Sequence, residues 1–318
     1  MNIDNYRMEQ LIRHIYRRLA KEEWASLPFG LKGGKIGLAV FFALYSDSFS
    51  NNSSRKLSAK ILYNLLQDIS SLPYGLVSGK MGIAWSLYLL YQRGILERDE
   101  PLDDLFKSIR REYAYRRHSQ PIQLIAGDDL FSEGIYMLRQ RNADGSLERY
   151  SVDEGLIGLV DECERQLTQS IKYIYRPEDM SLSRLHSILF FLTQISEKKI
   201  YPYKANALLC HVKERFSQMK EKPLCDEYIY HFLMQDDKAI VPINLEDRNL
   251  FLLMGELGFY SLLYDDQGIF RSAWQQVEEK YPGFKGKVES IIKDKSTPVA
   301  ALCGWGYGLL QCKTESYV

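Results

Sequence analysis

The chain has 318 residues, 46% of them hydrophobic, which is enough to bury a large core. Lys plus Arg equals Asp plus Glu at 41 each, so net charge gives no reason to expect nucleic acid or an anionic membrane as partner. Five cysteines, Cys163, Cys210, Cys225, Cys303 and Cys312, are scattered and odd in number, which fits reduced thiols rather than a disulfide framework.

The N-terminal stretch "NYRMEQLIRHIYRRLA" (5–20) has apolar residues at helical spacing and lacks the apolar core of a signal peptide. No run approaches the roughly 18 apolar residues of a membrane span, and the expected location is cytoplasmic. "PFGLKGGKIGLAVFFALYS" (28–46) then sets four glycines before an apolar helix. A phosphate loop of the Walker type does not fit: three residues separate Gly30 from Gly34, and Ile36 follows Lys35 where a hydroxyl is needed. After an amphipathic helix at "RKLSAKILYNLLQDI" (55–69), the glycine pattern returns as "PYGLVSGKMGIA" (73–84), 45 residues after "PFGLKGGKIGLA". Self-similarity at that period predicts an array of like supersecondary units.

Further amphipathic helices are expected at 101–115 and around "LLCHVKERF", and segments apolar on nearly all sides at 128–140, 183–195, 250–264 and 302–312. "EGLIGLVDECERQL" (154–167) reads as the start of another helix, and "CDEYIYHFLMQDD" (225–237) as a short additional hairpin. The predicted fold is all-α, one domain over 1–318: an α/α toroid of six to seven helical hairpins with inner and outer rings. The paired glycines, such as Gly34 and Gly37 or Gly255 and Gly258, would permit the turn into each inner helix and close packing at the mouth.

Tandem inner helices begun by G-x-x-G and preceded by Gly-Leu resemble the lanthionine synthetase C (LanC-like) family, the cyclases of lanthipeptide maturation. Within "DDLFSEGIYML", Asp129 matches the acid that the family uses in catalysis. Within "LSRLHSILFFL", His186 matches its catalytic histidine, with Ser187 in place of the usual glycine. The resemblance implies an α/α toroid whose mouth holds zinc through one Cys and an adjacent Cys-His pair, activating a peptide thiol for addition to a dehydrated residue.

The chain departs from that pattern at the metal. Leu252 and Leu253 stand where the family has Trp-Cys, Cys210-His211 falls on an amphipathic helix, and Cys303 is followed by Gly304 where His is needed. No cofactor is therefore expected, and the reading is a metal-free protein that binds a peptide substrate or leader peptide, or a partner biosynthetic enzyme. Asp128 and Glu133 join Asp129 in an acidic cluster whose plainer role is helix capping. The alternative function is an α/α-toroid glycosidase or lyase, with paired carboxylates at that cluster and Trp85, Trp305 and some of the 22 tyrosines stacking on sugar. The sequence leaves open whether the protein is an enzyme.

Overall fold

A computed structural model describes residues 5–97, 104–109, 111–112, 130–143, 149–168 and 180–314. These residues are predominantly helical, with no strand among them. The helices are α1 (Asn5–Leu19), α2 (Lys35–Phe49), α3 (Asn52–Gln67), α4 (Lys80–Gln92), α5 (Ser132–Ala143), α6 (Arg149–Thr168) and α7 (Leu182–Glu197). They continue with α8 (Pro202–Gln218), α9 (Leu224–Leu233), α10 (Asp247–Tyr264), α11 (Gln267–Lys280), α12 (Phe284–Lys293) and α13 (Val299–Thr314). None of the described helices is long and apolar enough to cross a membrane. By contacts the chain forms two compact units, the first of Met1–Pro73, Val77–Gly79 and Ile240–Val318, the second of Tyr74–Leu76 and Lys80–Ala239.

The repeat seen in the sequence is a repeat in conformation. Each copy runs from a 3-10 turn (Trp24–Ser26; Ile69–Ser71) through an extended Leu (Leu27; Leu72), a Pro-aromatic-Gly segment and a turn into a helix, beginning at Lys35 or Lys80. In the first copy the loop folds back over the helix start. Lys35, Ile36 and Gly37 donate their N–H groups to the carbonyls of Pro28, Phe29 and Gly30 at 2.7, 3.1 and 3.3 Å. In the second, Met81 N donates to Tyr74 O at 3.2 Å, the counterpart of the Ile36 bond. The loop backbone therefore caps the N–H groups that a helix start leaves unpaired.

That cap accounts for the glycines, with one change from expectation. A Cβ on Gly34 would overlap Pro28 O, and one on Gly37 would overlap Leu31 O. The obstacle at both is the protein's own loop, in place of the expected neighbouring helix. Gly33 alone in this loop needs the left-handed region, at φ +76°. Gly155 and Gly158 lie inside α6, which begins at Arg149; they do not open it.

Within the first unit, α2 is buried from Ile36 to Ser46 and α3 covers it with Ser54, Ser58, Ile61 and Leu65. Ser54 and Ser58 donate to the carbonyls of Phe42 and Ala39, each at 2.8 Å. Small hydroxyl residues thus bring the two helices close while satisfying polar atoms. Ser50 closes α2 in the left-handed conformation, and the Asn51 side chain caps α3 by accepting from Ser54 N.

The closest packing in this unit is between α10 and α13. A Cβ on Gly255 would lie 2.8 Å from Ala301 Cα, one on Gly258 would overlap Gly304 O, and one on Gly304 would overlap Gly255 O. The helices meet backbone to backbone. Trp305 Nε1 donates to Phe251 O at 2.8 Å, and Ser261 Oγ donates to Gln311 Oε1 at 2.5 Å. Two helices absent from the sequence expectation, α11 and α12, fill 267–280 and 284–293. The apolar residues Ile269, Phe270, Ala273, Trp274 and Val277 on α11 follow helical spacing.

Gly304→Ala should therefore cost on the order of 3 kcal/mol, because two backbones must separate. Gly286, inside α12, is the control, since a Cβ there would meet nothing within 4 Å. Gly286→Ala should add about 0.5–1 kcal/mol through helix propensity alone. Thermal or urea unfolding of both variants measures the difference.

Candidate functional site

In the second unit, a buried polar cluster gathers at the start of α7. Ser181 caps this helix by accepting from Arg184 N at 3.1 Å. One turn of helix then places Arg184, His186 and Ser187 against three other segments. The Arg184 guanidinium donates from Nε to Gln166 Oε1 on α6 (2.9 Å) and from Nη1 to Leu130 O (3.1 Å). It also lies 5.8 Å from the Phe131 ring centre. Ser187 Oγ accepts from Phe131 N and donates to Arg184 O, both at 2.7 Å. A cation as buried as Arg184, at 8% exposure, is tolerable because carbonyl oxygens replace water around it.

His186 is fully buried, and its Nε2 lies 3.1 Å from Oδ1 of Asp226 in the first turn of α9. Burial lowers the imidazole pKa from its ordinary value of 6.5, and the Asp226 hydrogen bond opposes that fall. Asp226 keeps a side-chain exposure of 16%, so the carboxylate touches water while the imidazole does not. Cys163 on α6 is also buried, and desolvation pushes its thiol pKa well up; it is a protonated core thiol and no nucleophile.

The remaining expected residues divide clearly. Asp128 and Asp129 lie outside the described residues. Glu133 stands in the first turn of α5, where a carboxylate complements the helix dipole. Trp85 and Trp305, expected to stack on substrate, are fully buried. The Arg139 guanidinium lies 5.0 Å over the Trp85 ring, and Trp305 is enclosed by Phe251, Phe270 and Trp274.

The residues considered for zinc do not fit it. Cys303 is fully buried, and desolvation raises its pKa strongly. A His at 304 is excluded while α10 and α13 hold their approach, since Gly304 has no room for a Cβ. Cys210 is exposed and His211 Nδ1 sits 3.6 Å from Glu214, on the wet face of α8. Among the described residues no three His, Cys, Asp or Glu side chains converge as a ligand set. The glycine loop is no anion cradle either, because its first-turn N–H groups are already taken by loop carbonyls.

No protein-family model, no curated protein and no solved structure matches the chain. Arg184 and Asp226 do not stand out in the sequence: Asp226 is 40 residues from His186, and helical periodicity does not show which helices meet.

Because the folded pKa of His186 lies below the unfolded one, the unfolded chain takes up the proton first. Its contribution to stability is complete above about pH 6.5 and declines as pH falls below that value toward the folded pKa. Urea unfolding between about pH 7.5 and 5.5 should show a smaller loss of stability in His186→Gln than in the unaltered protein. Equal slopes would mean that His186 does not carry this dependence.

Proposed function

We propose that the chain is a LanC-like protein of modified-peptide biosynthesis, a metal-free peptide-binding or accessory homologue of the thioether cyclases acting in the cytoplasm. Its helices would alternate in an α/α toroid of six to seven hairpins. The observation that supports the reading is the matching turn-to-helix secondary structure of the two P-x-G-L-x-x-G-K-x-G units, with the Ile36–Phe29 bond repeated as Met81–Tyr74, the element on which the family resemblance rests. His186 adds support, since it stands at the start of a largely buried helix, held by three neighbouring segments.

The metal-free form of the proposal is supported by the buried, proton-holding Cys303 and by the backbone contact that occupies position 304. Thiol activation by zinc needs a thiolate and imidazole set with one open position, and a Cβ at 304 would meet the Gly255 carbonyl. A carbohydrate-active role gains nothing from Trp85 and Trp305, which are enclosed.

Purified protein should contain no stoichiometric zinc by elemental analysis. It should bind a dehydrated lanthipeptide precursor that carries its leader, read by fluorescence anisotropy, with the same affinity before and after chelator treatment. His186→Ala and Asp129→Asn should leave that affinity nearly unchanged. Zinc that disappears in Cys303→Ser would overturn the metal-free reading; absence of peptide binding would overturn the peptide role.

A further inference from the structure

The segment "CDEYIYHFLMQDD" (225–237) ends in a polar clasp. α9 stops at Leu233, and Gln235 then takes the left-handed conformation at φ +53°. Gln235 N donates to Phe232 O and Asp236 N donates to His231 O, both at 3.0 Å, which are the two bonds of a Schellman cap. Such a cap often sets an apolar contact between the positions that His231 and Asp236 hold here. In this chain they are an imidazole and a carboxylate, with His231 Nδ1 3.2 Å from Asp236 Oδ2.

We infer that Asp236 is a positioning residue for His231: its carboxylate accepts from Nδ1–H, fixes that tautomer of the neutral ring, and leaves Nε2 as the basic nitrogen. Both carboxylate oxygens are engaged. Oδ1 accepts from Lys238 N at 3.0 Å while Oδ2 faces the ring. The Lys238 N–H holds the Asp236 carboxyl below its ordinary pKa, and an ionised carboxylate can only accept. The shared hydrogen therefore belongs to Nδ1.

The ring is also held from the sides. His231 is 6% exposed, and the rings of Phe216 on α8 and of Tyr230 meet it edge to face, with centres 5.1 and 5.4 Å away. Among the described residues no donor or acceptor engages Nε2. A proton that the ring takes up, or an N–H or O–H bond that it accepts from a ligand, enters at Nε2, and Asp236 and the C-terminal end of α9 stabilise the charge that results. The pair lies at the other end of α9 from Asp226 and shares no residue with the cluster at the start of α7. It is a second place in the chain built for acid–base chemistry.

The test is a two-bond proton–nitrogen correlation spectrum of the imidazoles in the uniformly labelled full chain, at about pH 8.5, well above the ordinary histidine value. With five histidines, the His231 signals are assigned by their loss in His231→Gln. They should show the Nδ1-protonated pattern. In Asp236→Asn the amide oxygen stays on Lys238 N–H and the NH2 group turns toward Nδ1, so the ring must accept there and carry its hydrogen on Nε2. The His231 pattern should therefore invert to the Nε2-protonated one, or become a mixture dominated by it. Circular dichroism and thermal unfolding establish that each variant is folded. An Nε2-protonated His231 in the unaltered protein overturns the proposal, as does an unchanged Nδ1-protonated pattern in folded Asp236→Asn. If Asp236→Asn does not fold, the tautomer of the unaltered protein decides alone. The proposal is independent of the peptide role, since the tautomer is measured without any ligand.

Discussion

Close approach of one backbone to another is the constraint on which both the repeat loops and the tightest helix pair depend. At the start of α2 the loop carbonyls of Pro28, Phe29 and Gly30 satisfy helix N–H groups that would otherwise need side chains or water. Bringing a carbonyl that near leaves no volume for a Cβ at Gly34 or Gly37. Between α10 and α13 the same substitution of hydrogen for methyl lets two helices touch along Gly255, Gly258 and Gly304. One residue type thus does two jobs. In the loop it admits a hydrogen-bonded cap, and between helices it admits dispersion contact between main chains.

The polar atoms near these contacts are organised to make the approach tolerable. Ser54 and Ser58 donate into α2, Trp305 donates to Phe251 O, and Tyr307 Oη donates to Gly37 O at 2.5 Å. Each such bond contributes about 1 kcal/mol net, while leaving the buried group unpaired would cost more. In the second unit Arg184 and Ser187 play the corresponding part, joining α7 to α6 and to residues 130–131. His186 is placed by this framework. Its burial is a consequence of a turn held on three sides, and the partner on α9 completes its surroundings.

The all-α class and most helices were legible because apolar spacing in α1, α3 and α8, and all-round apolarity in α2, α4 and α10, follow directly from which faces are buried. The repeat was legible because a backbone cap that admits only glycine prints a fixed spacing on the sequence. Less legible was the reason for that spacing, since an internal carbonyl and an adjacent helix exclude a Cβ equally well. Of the polar cluster at the start of α7, the sequence singled out His186 alone. Asp226, Arg184 and Gln166 act across 40, 54 and 18 residues, and periodicity carries no information about which helices meet. A large aromatic such as Trp85 or Trp305 looks the same in sequence whether it lines a groove or fills a core.

Position 304 shows how strongly the α10–α13 approach limits the side chains it can hold. An imidazole at 304 needs a Cβ where the Gly255 carbonyl lies, so α10 and α13 would have to move apart to admit it. Separating them would also withdraw Gly258 from Gly304 O, and strain the Trp305–Phe251 and Ser261–Gln311 bonds that depend on the same approach. Conversely, holding the helices together keeps Cys303 sealed from water, and an isolated thiolate there is strongly disfavoured. Tight glycine packing thus governs both the burial of Cys303 and the side-chain bonds between these two helices.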